Sequence, residues 1–207
     1  MLICRLPGQI AQASEQFRQN DLVVISVDIA QAHNRDDARA LIRQAIISVI
    51  AAAWDLTANE IHLHTEKGQA PYLVVGMTSE RIVYLSIAHE AKYALATICS
   101  GNRVGIDVVN IADEFEWKDT ALLFLGEAVL QYISAKPVNQ QFRTFLQAWA
   151  RHEAQLKCIG QGMQEWSEEL EQQLSSVPCE VDYVSCDFTY IVALARLQSD
   201  KHNPAIQ

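Results

Sequence analysis

Apolar side chains at Ala38, Leu41, Ile42, Ala45, Ile46, Val49, Ile50 and Ala53 follow an i, i+3, i+4 spacing without interruption. A run of this kind makes one apolar stripe along a long helix, and the stripe must be buried against a second layer. The preceding residues supply that layer. Residues 22–29, LVVISVDI, are rich in β-branched side chains and read as a buried strand. Between the two, Asn34 and Asp37 offer N-cap chemistry. The polar face of the helix carries Arg35, Arg39 and Arg43. A solvated surface is the ordinary meaning of such arginines, and a phosphate-facing cluster is the more specific one.

The same plan recurs further along. Residues 82–88 (IVYLSIA), 93–99 (YALATIC) and 104–109 (VGIDVV) are short apolar runs between turn-like residues, and they read as a three-stranded antiparallel meander. Helical periodicity returns from Thr120 to about Ile159, with a break near Pro137. Its later part sets Phe145, Leu146, Trp149 and Leu156 on one stripe, and Gly160 and Gly162 end it. Residues 183–187 and 190–197 read as closing strands. The expected architecture is α+β: a pseudo-twofold pair of α/β halves, 1–100 and 101–207. Each half is a long helix on a small, mostly antiparallel sheet, with a cleft between them.

Composition excludes several classes. The chain has 207 residues, half of them hydrophobic, and a formal net charge of −9. That is a folded globular composition rather than a disordered one. The negative balance argues against general nucleic-acid binding, which needs a basic face. No apolar run is long enough to span a membrane, and the first residues lack a signal-peptide core. Cys4, Cys99, Cys158, Cys179 and Cys186 contain no CxxC pair, so free thiols are expected rather than a disulfide framework or a zinc site. A cytoplasmic location is the expectation.

Two segments carry chemistry. In Val104-Gly105-Ile106-Asp107-Val108-Val109 a lone carboxylate sits in a run of strand formers. Burying it is costly unless it is paired or binds a cation. In Trp149-Ala150-Arg151-His152-Glu153-Ala154-Gln155-Leu156-Lys157 the spacing puts Trp149, Glu153 and Lys157 on one helical face. Each segment alone has an ordinary explanation, a strand-end carboxylate and a surface Glu–Lys pair.

Together they resemble the paired signature of the 4′-phosphopantetheinyl transferases, in the two-halved, surfactin-synthetase-activating type. Gly105-Ile106-Asp107 is followed by Trp149-x-x-x-Glu153-Ala154-x-x-Lys157-x-x-Gly160. Pro71-Tyr72-Leu73, Leu85-Ser86-Ile87-Ala88-His89, Tyr93-Ala94-Leu95-Ala96, Phe124 and Glu127 agree in order, so the likeness runs over residues 39–197.

The resemblance implies a magnesium-dependent transfer of the phosphopantetheine arm of coenzyme A to a serine of an acyl or peptidyl carrier protein. Asp107 and Glu153 would hold Mg2+ through hard oxygen ligands. Glu153 would also be the base for the serine proton, and Lys157 would stabilise the leaving phosphate. His89 and Arg39 would bind the nucleotide end of coenzyme A, with His152 and Lys67 as further phosphate contacts. The two-halved length implies a working monomer, since shorter relatives build the site between subunits, with a homodimer for other reasons left open. Lys136, Arg143 and Arg151 are candidates for carrier docking.

Some positions depart from the family. A second carboxylate usually follows the Asp by two residues, and here that position is Val109. The Lys before the Glu is His152, the Gly-Lys before Pro71 is Gln69-Ala70, and the residues flanking His89 are Ala88 and Glu90. The basic helix that usually precedes the long N-terminal helix is nearly absent. The alternative expectation is therefore a non-catalytic member that docks a carrier protein or a subunit. A chance match would leave Asp107 and Glu153 far apart.

Overall fold

A computed structural model describes residues 1–66, 69–76, 81–112, 115–184 and 190–197. The first sheet begins with β1 (Ile3–Leu6), which runs parallel to β2 (Leu22–Asp28), with α1 (Ile10–Asn20) connecting them. Next come α2 (Arg35–Trp54), β3 (Ile61–His64), β4 (Tyr72–Val75), β5 (Arg81–Glu90) and β6 (Tyr93–Ser100). The strand order is β1-β2-β6-β5-β4-β3, and every pairing after the first is antiparallel. Asn34 caps α2, its side chain accepting from the Asp36 and Asp37 amides at 2.9 Å. The apolar stripe is buried as its spacing demands except at Leu41, which is 38% exposed. Ile42, Ile46 and Ile50 are fully buried against Ile25, Leu73, Leu85 and Ile98, and Phe17 of α1 closes the layer beside Trp54.

The second sheet has the order β7-β9-β8, with β7 at Val104–Asn110, β8 at Cys179–Val184 and β9 at Tyr190–Arg196. Between β7 and β8 lie α3 (Lys118–Leu125), α4 (Glu127–Ser134), α5 (Val138–Ile159) and α6 (Glu168–Ser175). α5 crosses this sheet with small residues at the contact. Ala150 and Ala154 meet Ala193 and Ala195, and Phe145 fills the wider end next to Ile191. The fold is thus mixed α+β, with six helices and two sheets among the described residues. One long helix lies on each sheet, but the sheets are unequal, with six strands and three.

A third apolar layer joins the sheets. Val24, Ala88 and Leu95 of the first pack against Ile106, Val108, Val192 and Leu194 of the second. Across the same contact the Ile106 amide donates to the Ser86 hydroxyl oxygen at 3.0 Å.

The structure corrects the expected meander. Residues 82–88 and 93–99 do form a hairpin, as β5 and β6, but the 104–109 run leaves that sheet and pairs with β9. The reason is burial on both faces. Ile106 and Val108 face the first sheet while Gly105 and Val109 meet α5, so β7 sits between two layers rather than at a sheet edge. The second helical region breaks at Gly126, which has a φ of 85°, as well as at Pro137. β8 starts at Cys179, earlier than residue 183, and residues 185–189 lie outside the described set. α1 and α6 are not anticipated by the sequence reading. No helix among the described residues is long and apolar enough to cross a membrane.

Candidate active site

The contact between β7 and α5 depends on Gly105. A Cβ built there would stand 1.8 Å from the Ala154 carbonyl oxygen and 2.6 Å from the Cys158 amide nitrogen. Both are helix backbone and cannot step aside, so any side chain would push α5 off the strand. Glycine allows the close approach, and the close approach brings Asp107 under the next turn of the helix.

There Asp107 meets Lys157. The ammonium donates to Asp107 Oδ1 at 2.7 Å and lies 3.6 Å from Glu153 Oε2, one helical turn back on α5. Both carboxylates therefore converge on one cation, which rules out the chance-match expectation that they lie far apart. The Asp107 side chain is only 8% exposed, whereas Glu153 and Lys157 are 28% and 30% exposed. Burial pushes the Asp107 carboxyl up to about 6. The Lys157 ammonium opposes that rise, the Glu153 charge adds to it, and the Val108 amide opposes it further by donating to the carboxylate. At Asp107 desolvation outweighs the favourable charge of the lysine.

His89 ends β5 nearby and is exposed. Partial removal of water, then the positive charges of Arg35, Arg39 and Lys157, push its imidazole below the usual range. The charges of Arg35 and Arg39 on α2 and of Lys157 on α5 are thus all felt at His89. Arg39 also pairs with Asp36 at 3.2 Å on the exposed helix surface. A cleft of about 260 Å³ runs beside Lys157, lined by Gln69, Pro71, Ser86, Ile87 and Gly160.

The family's usual second carboxylate has no counterpart here. Val109 lies on the same side of β7 as Asp107 and packs into the apolar cluster under α5. Among the described residues no group of three or more His, Cys, Asp and Glu side chains is placed to hold a metal ion. Asp107 and Glu153 remain. They are hard oxygen donors already gathered around a cation. They fit a magnesium ion in kind, because that ion takes few protein ligands and completes its shell with water and phosphate oxygens.

His152, expected as a phosphate contact, does not line the cleft beside Lys157. It is 7% exposed and turns to another side of α5, where it lines a pocket of about 520 Å³. Leu125, Val129, Trp166, Leu170 and Leu174 form apolar walls of this pocket. Burial pushes the His152 imidazole below the usual range, and its Nε2 has no hydrogen-bond partner among the described residues. Trp166 closes one side, its indole lying on Gly126, where a Cβ would come within 2.7 Å of Nε1. The sequence reading overlooks Trp166, although a tryptophan in a polar connecting segment was the available signal. Lys67 lies outside the described residues.

Of the expected docking cations, Arg143 donates to the Tyr183 hydroxyl at 3.1 Å and lies over its ring. Lys136 lies over the Tyr132 ring, and Arg151 stands on the rim of the His152 pocket. Phe124 packs edge-on against Trp149, above the turn that carries Glu153.

Comparison with known proteins agrees with this geometry. Residues 103–190 match the family model described as the 4′-phosphopantetheinyl transferase superfamily. No curated protein matches the chain significantly. The matched segment holds β7 with Asp107 and α5 with Glu153 and Lys157. That segment, less than half of the chain, is where its similarity to the 4′-phosphopantetheinyl transferase superfamily lies.

Proposed function

We propose that this protein transfers the 4′-phosphopantetheine arm of coenzyme A to a serine hydroxyl of an acyl or peptidyl carrier protein, and that Asp107 and Glu153 hold Mg2+ for the reaction. The observation that carries the reading is the convergence of Asp107, Glu153 and Lys157 on one point at the β7–α5 contact. The serine oxygen forms a bond to the phosphorus that bears the pantetheine. The bond from that phosphorus to the bridging oxygen breaks, and adenosine 3′,5′-bisphosphate leaves. A bound magnesium ion supplies charge stabilisation at the phosphate oxygens.

The chain's own residues do the remaining work. Glu153 is solvent-accessible and takes the serine proton. Lys157 neutralises charge on the leaving phosphate. Arg39 and His89, with Arg35, bind the phosphates of the nucleotide end. The pantetheine arm carries amides on a short apolar chain. The pocket beside His152 supports its placement there, because apolar side chains alternate with Arg151, Gln155, Glu171 and Ser175 along its walls and the buried imidazole nitrogen needs a hydrogen-bond partner. Residues 1–100 and 101–207 act as two halves with the substrate between them, which favours a monomer. Free thiols at Cys4, Cys99, Cys158 and Cys179 support a cytoplasmic enzyme.

Val109 favours a second reading, a member of the fold that binds carrier protein or a subunit without catalysis. Its apolar packing removes one expected metal ligand. Calorimetry separates the two, because only the enzyme requires coenzyme A binding that magnesium strengthens. The direct test is incubation with coenzyme A, magnesium and a panel of apo carrier proteins. A mass gain of one phosphopantetheine on a carrier supports the transferase, and no gain on any carrier from folded protein contradicts it.

A further inference from the structure

Lys157 already stands where the carboxylate pair would receive a metal ion. Its ammonium is 2.7 Å from Asp107 and 3.6 Å from Glu153, and among the described residues no other cation pairs with either carboxylate. Asp107 is nearly buried, so it requires a counter-charge while the protein is free of ligand. Lysine is suited to supplying one temporarily. Its charge sits on a flexible four-carbon stem, and the side chain is 30% exposed. It also has somewhere to go, because the cleft lined by Ser86, Ile87 and Pro71 opens beside it. Its charge is felt at His89 together with those of Arg35 and Arg39, so a polyanion bound in that neighbourhood would draw the ammonium toward itself.

We infer that Lys157 is an exchangeable counter-cation. It neutralises Asp107 and Glu153 in the free protein and yields its place to a divalent ion when the substrate's phosphates take the ammonium. This rests on the reading of Asp107 and Glu153 as the metal-holding pair. Two cations then compete for one pair of carboxylates, and the anionic substrate relieves the competition. Metal and coenzyme A must therefore strengthen each other's binding by the same factor. In this account the missing carboxylate at Val109 has a consequence. With two protein ligands, both engaged by a lysine in the free protein, the metal binds weakly until the substrate is present.

The test is titration of Mn2+ into wild-type protein and Lys157→Met, with and without coenzyme A, at pH 7.5, read by calorimetry and by the electron paramagnetic resonance of free Mn2+. Removing the competitor should tighten Mn2+ binding about tenfold in the absence of coenzyme A and shrink the enhancement that coenzyme A gives the wild type. A merely structural lysine would not yield tighter metal binding when removed. Lys157→Gln serves where Lys157→Met does not fold. Equal or weaker Mn2+ binding by a folded variant overturns the exchange while leaving the metal pair intact. Absence of Mn2+ binding by both proteins overturns the metal pair, and the exchange with it.

Discussion

Ser86 of the first sheet accepts a hydrogen bond from the Ile106 amide of the second at 3.0 Å, inside the apolar layer that joins them. Ile106 immediately precedes Asp107, so this bond ties the strand that carries Asp107 to the first sheet. Ser86→Ala leaves the Ile106 amide buried without a partner, which costs about 1–3 kcal/mol. Denaturant unfolding measures the loss. An unchanged midpoint would mean that water replaces the serine and that the bond does not fix the strand.

Gly105 should tolerate no side chain. Gly105→Ala drives a methyl group into the backbone of α5 at Ala154 and Cys158. The expected cost is about 2–3 kcal/mol, together with separation of Asp107 from Lys157 and loss of transfer activity. A variant with wild-type stability and activity would show that α5 can move without harm to the site.

Asp107 should weaken the folded protein at neutral pH. Its folded-state carboxyl is raised from 3.8 to about 6, so between those values the folded chain holds a proton that the unfolded chain has lost. The contribution of this group to stability therefore falls as pH rises through that window, by about 2–3 kcal/mol in all. Asp107→Asn should be more stable than wild type at pH 7.5, and the difference should vanish near pH 4. A variant less stable than wild type at pH 7.5 would show that the pairing with Lys157 outweighs the desolvation.

His89 should report on phosphate binding by the proposed coenzyme A site. In the free protein its imidazole is held below the usual range, chiefly by partial desolvation and then by Arg35, Arg39 and Lys157. A bound phosphate offsets those charges and should raise the titration midpoint, visible in the NMR shifts of the ring protons with and without coenzyme A. A midpoint that coenzyme A leaves in place would put the phosphates elsewhere.

Much of this was legible in the sequence because two periodicities were unambiguous. The stripe from Ala38 to Ala53 could only be a buried helix face, and Glu153 and Lys157, four apart, had to share a side of α5. What was not legible depended on which layer an element enters. The 104–109 run follows a hairpin closely, which favours pairing with it, yet its apolar residues on both sides suit a strand between two layers. α1 has Ile10, Ala13 and Phe17 at helical spacing, but its N-cap residue Gln9 makes no side-chain cap, so its start is unmarked. His152 is next to Glu153 in sequence but about 100° away around the helix, and that turn sends it to the apolar pocket rather than to the carboxylates. Gly105 was visible as part of a motif; its reason, the backbone of α5 against it, was not.

The central claim is that the point where Asp107, Glu153 and Lys157 meet transfers phosphopantetheine. The most direct measurement is intact-mass analysis of apo acyl and peptidyl carrier proteins after incubation with coenzyme A, magnesium and either wild-type protein or Glu153→Gln. The account predicts that the wild type adds one phosphopantetheine to at least one carrier and that Glu153→Gln lowers the rate at least about 100-fold. Either no addition by folded wild-type protein on any carrier, or addition by Glu153→Gln at the wild-type rate, would contradict it.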